Sequence, residues 1–491
     1  MIKPLLAGTE TEYGFTVEGR GAADQIDDAK ALVRSFPGEC FVGWDYRYES
    51  PRADIRGFKL ENLAFDPEDA KFDLGRQHGR DADVRADRVL INGARFYNDH
   101  GHPEYSTPEC WSLSELVRQD RIGEAVVLSA ARAYSENIGR SVKVFKNNTD
   151  FHGASYGSHE SYLVSRSMPW EEVYAAILPL LICRQILTGA GKVGSEVGPP
   201  CEYQISQRSD FFVEPINTET LYRRPIFNTR DEPHADPRHF LRLHVISGDA
   251  NMIESCTARK VGLVKLGLYL AEAGAAPSWS IKDPVRAFQG ISRDQSHCFE
   301  VSLESGSWST AAEILESYFA AAEHLLELDS DMAWLINDCR RLMAVGPDSA
   351  EFARHVDWAA KQHMLRSFLE AEGGKWDNAH LQAFDLEYHN VDRGEGLYYA
   401  LADMGTAEEP SVGVDAALSL TERGRAYVRG LAVGKFGSSL QTLSWSSLSF
   451  DVNGNVVEVE LAPDKIYSGQ LGNASGVENF IHELQSDSVE R

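Results

Sequence analysis

The stretch NGARFYNDHGHPEYSTPEC, residues 92–110, most narrows what this chain can fold into. Side chains on a strand alternate faces, so Arg95, Tyr97 and Asp99 share one side while Ala94, Phe96 and Asn98 share the other. A cation, a phenol and an acid therefore stand in a row over an apolar backing, and Glu104 follows through a His-Pro. The same alternation in AGTETEYGF puts Glu10 and Glu12 on one face. Acids gathered on a common surface repel and need a cation. Oxygen-rich carboxylate clusters suit Mg²⁺, which keeps several waters and shares a nucleotide's phosphates. Arg95 beside them suits a phosphate oxygen. Solvated strand residues are the alternative reading for any one of these acids. With two such strands, each carrying apolar residues that want a core, a site stands beside it.

Around these strands the chain reads as α+β. The pattern predicts a helix over 27–36, a strand in RVLINGARFYN, a helix from 112 to 138 and a strand over 141–147. Further helices are expected at 170–188 and 256–274, and Ala/Leu/Glu-rich helices dominate after 300. Residues 44–89 are polar and weakly periodic, and read as a long, flexible surface insertion; such loops are rare without a function. Beyond 415 come a helix, the strands LSWSSLSFDV and NVVEVELA, and a final helix. The expected division is a catalytic domain over 1–415 and a small C-terminal domain over 416–491.

Charge removes several function classes. With 74 acids against 48 bases the net charge is −26, which argues against nucleic acid or an anionic membrane as a general partner. The longest apolar candidate, 175–191, is broken by Pro179 and Arg184, and the N-terminus lacks a signal-peptide layout, so the expected location is the cytoplasm. Seven cysteines, none in a CxxC pair, suggest reduced thiols. HESYL (159–163) is not the zinc motif HExxH, and TGAGKVG (188–194) lacks phosphate-loop spacing. QRSD (207–210) and residues 228–252, with Arg230, Asp231, Glu232, His234, Arg238, Arg242 and His244, offer cations for phosphate or carboxylate, or a charged surface turn.

Taken together, GTETEYG, WDYRYESPRADIRGF, NGARFYNDHGHPEYSTPEC, KNNTD…GASYGSHESYL, QISQRSD, residues 228–252 and LSWSSLSFD resemble the Pup ligase and Pup deamidase/depupylase family. The matches keep their order over nearly the whole chain. The resemblance implies a glutamine-synthetase-like fold: a large domain whose curved antiparallel sheet, packed by helices, cradles Mg-ATP, and a small C-terminal domain. Within the family, the WDY–ESP–RGF loop and the spacing Asp99-His100-Gly101-His102-Pro103-Glu104-Tyr105 are similar to the depupylase branch. Thr107 is more ligase-like, Asn98 replaces an aliphatic residue, and the first forty residues match poorly after GTETEYG.

Carried over by position, the resemblance implies a Mg²⁺ site at Glu10, Tyr97 and Glu104, with His159 and Glu160 as further metal candidates. It implies nucleotide contacts from Arg95, Thr107 and Trp445, with Arg208 and Arg230 as further phosphate or cofactor contacts, and Asp99 as the catalytic acid. His234 and His244 are weaker candidates for metal, phosphate or substrate-carboxylate contacts. The implied activity is hydrolysis: deamidation of the C-terminal Gln of a Pup-like modifier and cleavage of its isopeptide bond to a substrate lysine. ATP, or ADP plus phosphate, would serve with Mg²⁺ as bound cofactor, and Asp99 as nucleophile or general base. The runner-up is a ligase that joins the modifier's Glu to lysine with ATP, and a third reading is an idle binder of the modifier.

Overall fold

A computed structural model of the chain describes residues 5–61, 85–411, 418–467 and 469–486. Its centre is a seven-stranded, wholly antiparallel sheet. In chain order the strands are β1 (Ala7–Glu12), β2 (Cys40–Phe41), β3 (Arg88–Leu90), β4 (Arg95–Asp99), β5 (His102–Ser106), β6 (Ser158–Ser165) and β7 (Phe240–Val245). In space they run β7-β6-β1-β5-β4-β3-β2.

One face of the sheet is apolar because every second residue is. Phe96, Tyr105, Tyr162 and Leu243 are buried there, against helices α1 (Gln25–Arg34), α2 (Leu113–Ile138), α3 (Trp170–Cys183) and α4 (Glu254–Glu272). Helix α2 starts where Ser112 and Glu115 form a reciprocal capping box, and stops at Gly139, whose φ of 64° is left-handed. The helix predicted over 170–188 is divided: α3 ends at Cys183 and a separate turn of helix covers Gln185–Thr188. No described helix is long and apolar enough to cross a membrane.

The hairpin between β4 and β5 is set by its two turn residues. His100 has φ 46° and Gly101 φ 90°, both positive, as a two-residue type I′ turn requires. Asp99 then pairs with His102 and Tyr97 with Glu104.

The C-terminal residues gather a core of their own. Helices α5 (Gly424–Phe436) and α6 (Val477–Ser486) pack on a three-stranded sheet of β8 (Leu440–Leu443), β9 (Ser447–Val452) and β10 (Asn455–Glu460). Trp44 and Val89 enter that core from the large sheet's edge, and backbone hydrogen bonds join Asp45 and Gly43 to Leu443.

Of the insertion expected over 44–89, residues 44–61 and 85–89 are described. Trp44, Asp45 and Asp54 are buried, and Asp54 accepts hydrogen bonds from Thr229 (2.6 Å), Thr218 and Arg56. Ser50 and Ala53–Ile55 are thus tied to the 218–232 segment, whereas Arg47, Arg52 and residues 56–59 are exposed. Residues 62–84 lie outside the described residues.

Candidate active site

The polar face of the sheet carries the chemistry. Alternation and register place Glu10 and Glu12 of β1, Arg95, Tyr97 and Asp99 of β4, His102 and Glu104 of β5, His159 of β6, and Arg242 and His244 of β7 on one surface. Glu12 lies opposite Glu104, which lies opposite Tyr97, and Glu10 lies opposite His159.

Two clusters result. In the first, Glu12, Asp99 and Glu104 bring carboxylate oxygens within 4.8 Å of one another. The Tyr97 hydroxyl donates to Glu104 at 2.6 Å. Even so, burial pushes the Glu104 carboxyl well above the usual carboxylate range, and Asp99, Glu12 and Glu10 push it the same way. Asp99 goes the other way: burial raises it, but His100 and Arg85 beside it hold it well below its usual value.

In the second cluster Glu10, His159 and His244 face one another, again within 4.8 Å. Burial would raise Glu10, yet Arg242 at 3.0 Å and the two imidazoles hold it below its usual value. Burial and Arg242 push His244 down to about 3, so its ring is neutral at physiological pH. Neither His244 ring nitrogen has a hydrogen-bond partner among the described residues, which leaves a buried lone pair aimed at the cluster.

Donor chemistry supports a cation here. Three converging carboxylates, one destabilised by its neighbours, are a hard oxygen set of the kind that holds Mg²⁺. Glu10 with two histidines is a mixed set that tolerates softer divalent ions.

Beside the clusters a cavity opens between β1, β5, β6 and the C-terminal unit. Gly8, Glu10, Thr107, His234, Arg242, Arg425 and Trp445 are on its walls. Arg425 and Arg429 of α5 both grip Glu109, and Arg429 also donates to the Trp445 carbonyl at 3.1 Å. Arg95 stands behind this wall, between the Trp44 and Tyr97 rings at 4.1 Å each, with Asp87 at 2.7 Å.

The structure sorts the residues expected from sequence. Glu10, Tyr97, Asp99, Glu104 and His159 come together, and Thr107 and Trp445 share the cavity. Glu160 does not join them, and its assignment as a metal residue is corrected. It is adjacent to His159 on one strand, so it faces the opposite side, fully buried, where Arg184 takes both its oxygens at 2.6 and 2.8 Å. Arg230 lies near enough to Asp99 for their charges to couple and donates to Thr220 at 3.0 Å. Arg208 lies near Glu12 and is held by the Ile246 carbonyl and the Ser155 hydroxyl. Neither arginine lines the cavity. Glu12, His102, Arg85 and Arg425 were not assigned from sequence. Only Glu12 carried a signal, its i+2 spacing from Glu10.

The family description "Pup-ligase protein" matches residues 5–449. This chain belongs to that family. Among relatives of the Pup-ligase family, the depupylase of Acidothermus cellulolyticus is 36% identical over 469 residues, 91% of each chain. The Pup deamidase/depupylase of Mycolicibacterium smegmatis is 36% identical over 475 residues, 92% of each. The Pup–protein ligase of Kineococcus radiotolerans is 39% identical over 368 residues, 72% of this chain and 80% of that one. The ligase PafA in complex with Pup superposes with a TM-score of 0.76 at 28% identity, covering 99% of this chain and 93% of that one. PafA in complex with ADP gives 0.72 at 30%, covering 88% and 96%. The α+β class expected from sequence is the fold of this family.

Proposed function

We propose that this protein is an amidohydrolase of the deamidase/depupylase type. It converts the C-terminal Gln of a Pup-like modifier to Glu, and cuts the isopeptide bond between that Glu and a substrate lysine. The observation that carries this reading is extent: relatives named for deamidation and depupylation match over nine-tenths of both chains, whereas the ligase of Kineococcus radiotolerans matches 72% of this one. The cytoplasm is the compartment that suits such a modifier.

Asp99 is the reacting acid. His100 and Arg85 keep it ionised, so it is ready either to attack the amide carbonyl or to take a proton from water. In the first case the amine leaves with a proton and water then cleaves the acyl–Asp99 bond; in the second, water adds directly. Glu12 and Glu104, with Glu10, His159 and His244 beside them, would hold Mg²⁺. The cavity with Thr107, Arg425 and Trp445 would seat ATP, or ADP plus phosphate, with Trp445 offering an aromatic face to the base and Arg95 a cation nearby. When bound, the metal ion would supply the positive charge that the carboxylate-lined face calls for and would bridge it to the nucleotide's phosphates.

The test is mass spectrometry of a Pup-like peptide ending in Gln, incubated with the protein, Mg²⁺ and ATP, beside Asp99→Asn. The expected result is the mass gain of amide-to-acid conversion, absent in the variant. A second reading, a ligase, is favoured by the ligase-type Thr107 and by the solved ligases that share the fold. ATP-dependent joining of a Glu-ended peptide to lysine, with the Gln peptide untouched, would establish it instead.

A further inference from the structure

Asp99 has an orientation problem that the cation clusters do not solve. It lies within 4.8 Å of Glu12 and Glu104, so two other acidic side chains crowd its carboxylate on the face it must address. Nothing intrinsic stops it from turning, since the terminal torsion of an aspartate is broad rather than locked in one well.

Two side chains oppose that swing, each on a different oxygen. His100 Nδ1 meets Oδ2 at 2.9 Å, and Arg85 Nη1 donates to Oδ1 at 3.1 Å. The neighbouring arginines are engaged elsewhere: Arg95 with Asp87 at 2.7 Å, and Arg242 with Glu10 at 3.0 Å. Arg85 is half-buried, and its guanidinium also lies 5.7 Å from the centre of the Tyr97 ring, on the strand that carries Asp99. It does not line the cavity that Thr107 and Trp445 share.

We propose that Arg85 is a positioning residue for the hydrolysis, an inference that rests on the amidohydrolase reading. It pins Oδ1 while His100 pins Oδ2, so the carboxylate keeps one setting and its remaining lone pairs face the substrate amide. A guanidinium suits this role because its donors are fixed in a plane and its charge does not titrate at working pH. The charge-assisted bond is strong enough to hold the carboxylate against that crowding.

Arg85→Gln and Arg85→Lys test it, with Mg²⁺ and ATP present and the Gln-ended peptide as substrate. For Arg85→Gln we expect kcat to fall roughly 100-fold, the scale of a displaced reacting group. KM for the peptide, nucleotide affinity and the thermal midpoint should stay at wild-type values. Arg85→Lys, which restores the charge without the planar fork, should recover part of the loss. Equal kcat in the two variants would overturn the inference, as would a loss confined to KM or nucleotide affinity. Wild-type protein that leaves the Gln peptide intact would overturn the hydrolase reading and this inference with it. Wild-type turnover matched by Arg85→Gln would overturn this inference alone.

Discussion

Glu104 is the residue whose environment is most at odds with its charge. Burial, and then Asp99, Glu12 and Glu10, disfavour its ionised form. A carboxyl whose folded value is raised binds its proton more tightly folded than unfolded, so its contribution to stability is present below its unfolded value near 4.5 and is lost as pH rises through the raised folded value. Glu104→Gln removes that penalty and keeps an oxygen to accept from Tyr97. In the absence of divalent cation the variant should therefore melt higher, by on the order of 2–4 °C. With Mg²⁺ the order should reverse, because the variant lacks a ligand and gains less from binding. Differential scanning calorimetry with and without Mg²⁺ reads both signs.

Among the elements, the β4–β5 hairpin decides the most. Its two-residue turn sets Asp99 against His102 and Tyr97 against Glu104, and one residue more or less would turn every following side chain of β5 to the other face. That is the physical content of the spacing between Asp99 and the HPEY sequence. Gly101 holds φ 90°, where an L side chain is strained. Gly101→Val should cost about 1–3 kcal/mol in urea unfolding. It should lower kcat more than it weakens nucleotide binding, since the frayed register reaches Asp99 before the cavity. Equal effects on both would show that the turn is merely structural.

At the scale of the whole molecule, the C-terminal unit is locked onto the sheet by Glu109. Burial raises its carboxyl, but Arg425 and Arg429 outweigh that and hold it down at about 2. A depressed carboxyl contributes stability above its unfolded value near 4.5, and loses it as pH falls toward 2. Above both values the contribution is about 3 kcal/mol, and it falls away across that interval. Glu109→Gln should thus melt well below wild type at pH 7, and the two curves should converge as pH drops from about 4.5 to 2. Because Arg425 and Trp445 share the cavity wall, the same variant should weaken nucleotide binding, measured by calorimetry.

Alternation along single strands, readable from residue order, was enough to put Arg95, Tyr97 and Asp99 on one side of their strand and Glu10 with Glu12 on one side of theirs, and to mark Ser112 as the start of a long helix; that the two sides are one sheet face came from the strand pairing. Family likeness then named Thr107 and Trp445, which are distant in sequence yet share a cavity. Sequence could not choose between His159 and Glu160, because adjacency says that they face apart without saying which side holds the site. The pairing of β6 with β1 and β7 decided it, turning His159 toward Glu10 and His244 and leaving Glu160 to Arg184. Nor could it bring Arg85 to Asp99 or Arg429 to Glu109, since ion pairs depend on where the packed backbone places the charges. The local periodicities belong to the chain itself; which of its charges meet, and what they must compensate, belongs to the tertiary fold.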